Sequence, residues 1–201
     1  MTVAAISVIL VSLLLSAGCT NHDGNEWQRL VVEVSAINDG VPLLSGYWDA
    51  GNDRRFPSED DYFPLDYVNV WFHARAYNQV ITLPEDTPYS YFHITEYDLE
   101  WTPLTVGSDE LVNYNLYSAP TDVLVPVGED DAVVTILVAD RYMKEQPFFR
   151  DLAPPPDGVN KLPFQASCRL TFRGHETGTD NVVEVTGAFM VSFVGVVIDV
   201  N

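Results

Sequence analysis

The sequence predicts an all-β protein built as two antiparallel sheets packed face to face. Three observations carry that expectation. Apolar residues recur at every second position along several segments, as they do where a strand buries one face and wets the other. Clusters of Pro, Gly, Asn and Asp separate these segments. Little repeats at helical spacing, and strands that follow one another without helices exclude β-α-β units.

The first strand-like segment is "RLVVEVSAI" (29–37). The run 38–66, "NDGVPLLSGYWDAGNDRRFPSEDDYFPLD", holds so many breakers that it reads as irregular. "YVNVWFHARAY" (67–77) alternates cleanly, with Val68, Val70, Phe72, Ala74 and Ala76 on one face. In "FHITEYDLEW" (92–101), Thr95, Tyr97, Leu99 and Trp101 oppose Ile94, Glu96, Asp98 and Glu100. "TDVLVPV" (121–127) contains a proline and is expected to be an edge strand or a short one. "DAVVTILVADRYM" (131–143) is the most apolar segment and is expected in the centre of a sheet. "FQASCRLTFRGHE" (164–176) and the segment 181–200 finish the chain, joined through the hairpin-like "GHETGTDN". Gly187 and Gly195 are expected to mark bulges in the last strand.

Antiparallel strands of this number and pattern fit an immunoglobulin-like or fibronectin-like β-sandwich, with a jelly roll or small barrel as the alternative. The chain has only two cysteines, Cys19 and Cys168. The disulfide of an antibody domain, with a tryptophan packed on it, is therefore not expected, although Trp101 could still plug the core. Cys168 alternates with Phe164, Ala166, Leu170 and Phe172, which reads as a buried, inert thiol.

Apolar residues make up 47% of the 201, enough for a substantial core. Acidic residues number 29 against 10 basic ones, a net charge of −19, and the lysines are Lys144 and Lys161 alone. Such a surface repels phosphate backbones and anionic headgroups, so nucleic acid is excluded as a partner. Solubility or salty surroundings account for the acidic excess without any specific site.

Residues 1–18 carry no charged side chain, and the apolar run Val3–Leu15 has the length of a signal-peptide core. It is short for a membrane span, which takes about 20 residues. The stretch Ser16-Ala17-Gly18-Cys19 resembles the lipobox of bacterial lipoproteins. That resemblance implies cleavage before Cys19, diacylglycerol on its thiol and acylation of the new amino group. Two or more acyl chains make a lasting membrane anchor. Thr20, where such lipoproteins of Gram-negative bacteria carry Asp for inner-membrane retention, implies the outer membrane. The expected organisation is a signal peptide at 1–18, a lipidated tether at 19–28 and a β-sandwich domain at 29–201. This pattern is similar to that of bacterial lipoproteins carrying immunoglobulin-like domains.

The acidic run holds Asp49, Asp53, Glu59, Asp60, Asp61 and Asp66. Calcium takes six to eight oxygen ligands, so it is the metal to test first there, although the spacing is not that of an EF-hand. His73 and His93 lie in strand-like, aromatic contexts. If their strands paired, the imidazoles could share a transition metal with a carboxylate such as Glu96. No cofactor is required by any motif. No GxSxG, HExxH or glycine-rich phosphate loop is present, so a hydrolase would need two carboxylates placed across a cleft.

Tyr89, Tyr91, Tyr97 and Trp101 crowd one region, and Tyr114 and Tyr117 follow. Exposed rings beside carboxylates suit a sugar or peptide surface. The functional expectation is thus a lipid-anchored binding or structural module for an envelope protein or glycan. A divalent-metal-binding lipoprotein is the alternative. Segments 121–127 and 181–200 are also candidates for edges that pair with a partner's strand.

Overall fold

A computed structural model describes residues 30–48, 62–77, 91–128, 131–152, 163–177 and 182–197. These residues form a β-sandwich. Its strands are β1 (Leu30–Ile37), β2 (Leu43–Trp48), β3 (Asp66–Ala76), β4 (Tyr91–Pro103), β5 (Leu116–Pro126), β6 (Ala132–Ala139), β7 (Phe164–Glu176) and β8 (Val182–Val197). A three-stranded sheet has the order β1-β3-β6, and a five-stranded sheet the order β2-β8-β7-β4-β5.

This order is immunoglobulin-like. β1, β3 and β6 take the places of strands A, B and E, while β8, β7, β4 and β5 take those of G, F, C and C′. The pairings are antiparallel except that β2 runs parallel to β8. β2 lies within the run expected to be irregular. The chain leaves the first sheet at Ile37 and turns through Asn38, Asp39 and Gly40, all with positive φ (49°, 54° and 74°). Asn, Asp and Gly tolerate that conformation best, so the breakers mark a switch between sheets rather than a loop.

Two strands depart from their expected places: β8, a candidate edge, lies between β2 and β7, and β6, expected at a sheet centre, lies at an edge. β6 ends at Ala139 and forms an edge of the three-stranded sheet, with β3 at its centre. Asp140 stops it by capping a short helix, α1 (Arg141–Lys144), where its carboxylate accepts from Met143 N–H at 2.7 Å. Pro147 opens a second, α2 (Pro147–Arg150). β5 does lie at an edge, as its proline indicated.

A bulge in β4 sets the face of its first half. The register passes from Ile94↔Gly174 to Glu96↔Arg173, leaving Thr95 unpaired. Phe92 and Ile94 are thereby buried together with Leu99 and Trp101, although simple alternation places them on opposite faces. Gly174 is what permits this. A Cβ there would stand 2.1 Å from the His93 carbonyl oxygen. Gly187 has a different role from the bulge expected of it, since β7 and β8 pair without interruption around it. Its missing side chain makes room for Val34 and Ile37 of β1. Gly195 does fall at a register shift, between Ser45↔Phe193 and Tyr47↔Val196.

The core lies between the sheets. Phe72 of β3 meets Phe172 of β7 edge to face, with ring centroids 4.8 Å apart. Towards the end that carries α1 and α2, Trp101, Phe149, Phe164 and Phe193 pack ring on ring. Trp101 is only 3% exposed, so it is a core plug and not a binding residue.

Candidate functional site

The sandwich has two ends. Leu30 pairs with Ala76, Glu176 accepts a hydrogen bond from Leu30 N–H at 2.7 Å, and Phe92 pairs with Glu176. The start of the described chain therefore shares one end with the β3–β4, β5–β6 and β7–β8 connections. Tyr77 and Tyr91 stand exposed at this end, at 67% and 42%.

A row of side chains crosses the outer face of the five-stranded sheet just below that end. His175 of β7 is directly opposite His93 of β4, and His93 is opposite Leu124 of β5. Val182 of β8 is opposite His175. The two imidazole centroids are 5.2 Å apart. Asp122, two residues from Leu124 and on the same face, lies 2.7 Å from His93 Nε2. Tyr91 also shares this face, because it lies two positions before His93. The surface thus joins an exposed phenol, two imidazoles, a carboxylate and the exposed apolar ends Leu124 and Val182.

Further along the same face the charges are paired. Arg173 contacts Asp98, Glu96 at 3.4 Å and Glu184 at 3.2 Å, and Arg169 contacts Glu100. The Arg173 hydrogen bond, with Ser118 N–H as a second donor at 2.8 Å, holds the Asp98 carboxyl below the usual range. These carboxylates are partners in an ion ladder.

His73 and His93 do not meet. β3 and β4 belong to different sheets, and the two side chains lie on opposite outer surfaces. His73 Nδ1 instead lies 3.0 Å from Asp131, whose other oxygen accepts from the Ser35 hydroxyl at 2.8 Å. Glu96, suggested as a third ligand, is engaged by Arg173. Tyr97 turns inward onto Phe172, with ring centroids 5.9 Å apart, and burial pushes its phenol pKa up. Tyr114 packs on Phe148, whereas Tyr117 is exposed.

Cys19, Asp49, Asp53, Glu59, Asp60, Asp61 and Tyr89 lie outside the described residues. Asp66, last of the acidic run, is described, and it is buried against Lys144 at 2.7 Å. Lys144, 0% exposed, also donates to the Pro64 carbonyl at 2.7 Å. Burial raises Asp66 and lowers Lys144, while their mutual attraction opposes both shifts. Nothing in the sequence flagged this pair, because separation along the chain hides it.

Among the described residues, no three or more His, Cys, Asp or Glu side chains are arranged to hold a metal ion. A groove of about 490 Å³ runs between β1 and β8, and Glu33 is its one carboxylate. It does not supply the pair of carboxylates that glycoside hydrolysis needs. Burial raises the Cys168 thiol pKa far above its ordinary value, which removes it as a nucleophile.

No family model, curated protein or solved structure matches this chain. The fold and the surface chemistry therefore carry the functional reading. What stands out is one end of the sandwich and the row of side chains beneath it.

Proposed function

We propose that this protein is a recognition module of the bacterial cell envelope, anchored through Cys19, that binds an envelope glycan with its Tyr91 end. The observation that carries this is Tyr91, exposed on the same face and at the same end as His93, His175 and Asp122. An aromatic ring packs on the apolar face of a sugar, while imidazoles and a carboxylate bind its hydroxyls. The acidic surface turns such a module towards neutral or cationic partners and away from phosphate-rich ones.

The anchor fits the same geometry. The described chain begins at this end, and the segment from Cys19 to Arg29 reaches at most about 40 Å when extended. The binding end would then work close to the membrane that carries it.

Two measurements test the reading. Membrane fractionation of the full chain should show Cys19→Ala released into the soluble fraction, and unchanged retention would refute the anchor. Retention on isolated murein sacculi, with a chelator present, should fall at least tenfold in Tyr91→Ala. Tyr117→Ala, changed towards the other end, should bind as the unaltered chain does. Equal binding by the chain and Tyr91→Ala would remove this end as the binding surface.

A further inference from the structure

We propose that His93 and His175 form a two-histidine site for a divalent transition-metal ion, zinc above all, with Asp122 orienting the His93 ring. The site rests on cross-strand geometry and is independent of the glycan reading. His93 and His175 are directly opposed on antiparallel strands, and both imidazoles project from the outer face. Zinc binds imidazole nitrogen at about 2.0–2.1 Å, which puts each ring centre about 3.2 Å from the ion. At a tetrahedral angle two such rings have centres about 5.2 Å apart, whereas a square-planar right angle would bring them to about 4.5 Å. The separation found is 5.2 Å.

Asp122 supplies the second feature of such a site. Its carboxylate, 2.7 Å from His93 Nε2, accepts a hydrogen bond from that nitrogen and so leaves the Nδ1 lone pair for the metal. A carboxylate behind a ligating histidine is the usual device for fixing tautomer and ring orientation. Gly174 completes the arrangement, because only a residue without Cβ lets β7 lie against the His93 carbonyl. The same closeness holds His175 in line with His93.

Two protein ligands leave the remaining tetrahedral positions to water or to a donor group on a bound partner. That is the coordination of an open site rather than a closed structural one. His73 has a carboxylate partner too, in Asp131, but Glu33 and not a second histidine is its opposite number on β1. It therefore serves as an internal control.

The test is zinc chloride titrated into the full chain by calorimetry, with cobalt(II) absorption as a probe of geometry. Single-site binding that weakens at least tenfold in His93→Ala, in His175→Ala and in Asp122→Asn supports the proposal. His22→Ala and His73→Ala should leave the affinity unchanged, and bound cobalt should show the intense visible bands of tetrahedral coordination. Absence of zinc binding overturns the proposal. So does binding that survives both His93→Ala and His175→Ala but disappears when Asp49, Asp53 and Asp60 are changed to Asn. The sacculus assay, run with chelator, stands or falls separately.

Discussion

Phe72 and Phe172 meet edge to face across the two sheets, their ring centroids 4.8 Å apart. They belong to β3 and β7, the strands that correspond to the pair joined by a disulfide in antibody domains. Here an aromatic contact joins them. Cys168 lies on β7 opposite Trp101 of β4, buried, and no second cysteine faces it among the described residues. The sandwich is held by apolar burial where an antibody domain adds a covalent staple.

Phe172→Ala is accordingly expected to cost about 3–5 kcal/mol, since it removes both the transfer energy of the ring and its contacts with Phe72 and Tyr97. Urea unfolding should show the loss as a lower midpoint at unchanged slope. A loss below about 1 kcal/mol would mean that the sheets are joined elsewhere.

Lys144 and Asp66 pin α1 to the start of β3 from inside the protein. Asp66→Ala leaves an ammonium group buried with only carbonyl partners, and should destabilise by about 3–5 kcal/mol. The double variant Asp66→Leu with Lys144→Met should recover most of that, because desolvation then no longer opposes burial. Thermal melts of the single and double variants decide it. A double variant no better than the single would show that the pair contributes net stability.

Asp98 gives stability a defined acid dependence. Its folded-state pKa lies below the ordinary 3.8, chiefly through its hydrogen bond with Arg173. The stability it contributes is therefore fully present above that ordinary value and lost as pH falls through the folded one. The difference in unfolding free energy between the unaltered chain and Asp98→Asn should be largest near neutral pH. It should shrink as pH falls through the folded-state pKa. A difference that grows on acidification would contradict the sign.

Gly174→Ala tests the close approach of β7 to β4. With a Cβ 2.1 Å from the His93 carbonyl oxygen, the strands must part locally, at a cost of about 1–3 kcal/mol. Gly40→Ala, in a turn where nothing lies within 4 Å, provides the comparison for backbone strain alone. Amide exchange at Phe92 and His93 should accelerate only in the Gly174 variant.

Alternation made much of the fold legible. Val68, Val70, Phe72 and Ala74 face the core as their spacing requires, and the limits of β7 agree with the sequence reading to the residue. The candidate site was legible only in pieces. His93 and Tyr91 stood out as residue types, but a sequence cannot say which strand lies beside which. The natural guess joined His93 to His73. The partner is His175, 82 positions along the chain, brought there by the β4–β7 pairing. Trp101 and Tyr97 looked like binding aromatics because an apolar ring carries no mark of whether its neighbours are protein or solvent.

The sequence by itself determined the strand pattern and the acidic excess, since each follows from residue type and local spacing. It also made an edge one of two places open to the proline-bearing strand, because proline cannot complete a ladder. Only the tertiary structure decided the rest. Strand order set β6 at an edge and paired β2 with β8. The Thr95 bulge turned Phe92 and Ile94 inward, and the burial of Lys144 made it a partner for Asp66. The physical reason is the same in each case. Hydrophobic periodicity fixes which face of a strand is buried, but which strands become neighbours depends on contacts between residues far apart in the chain.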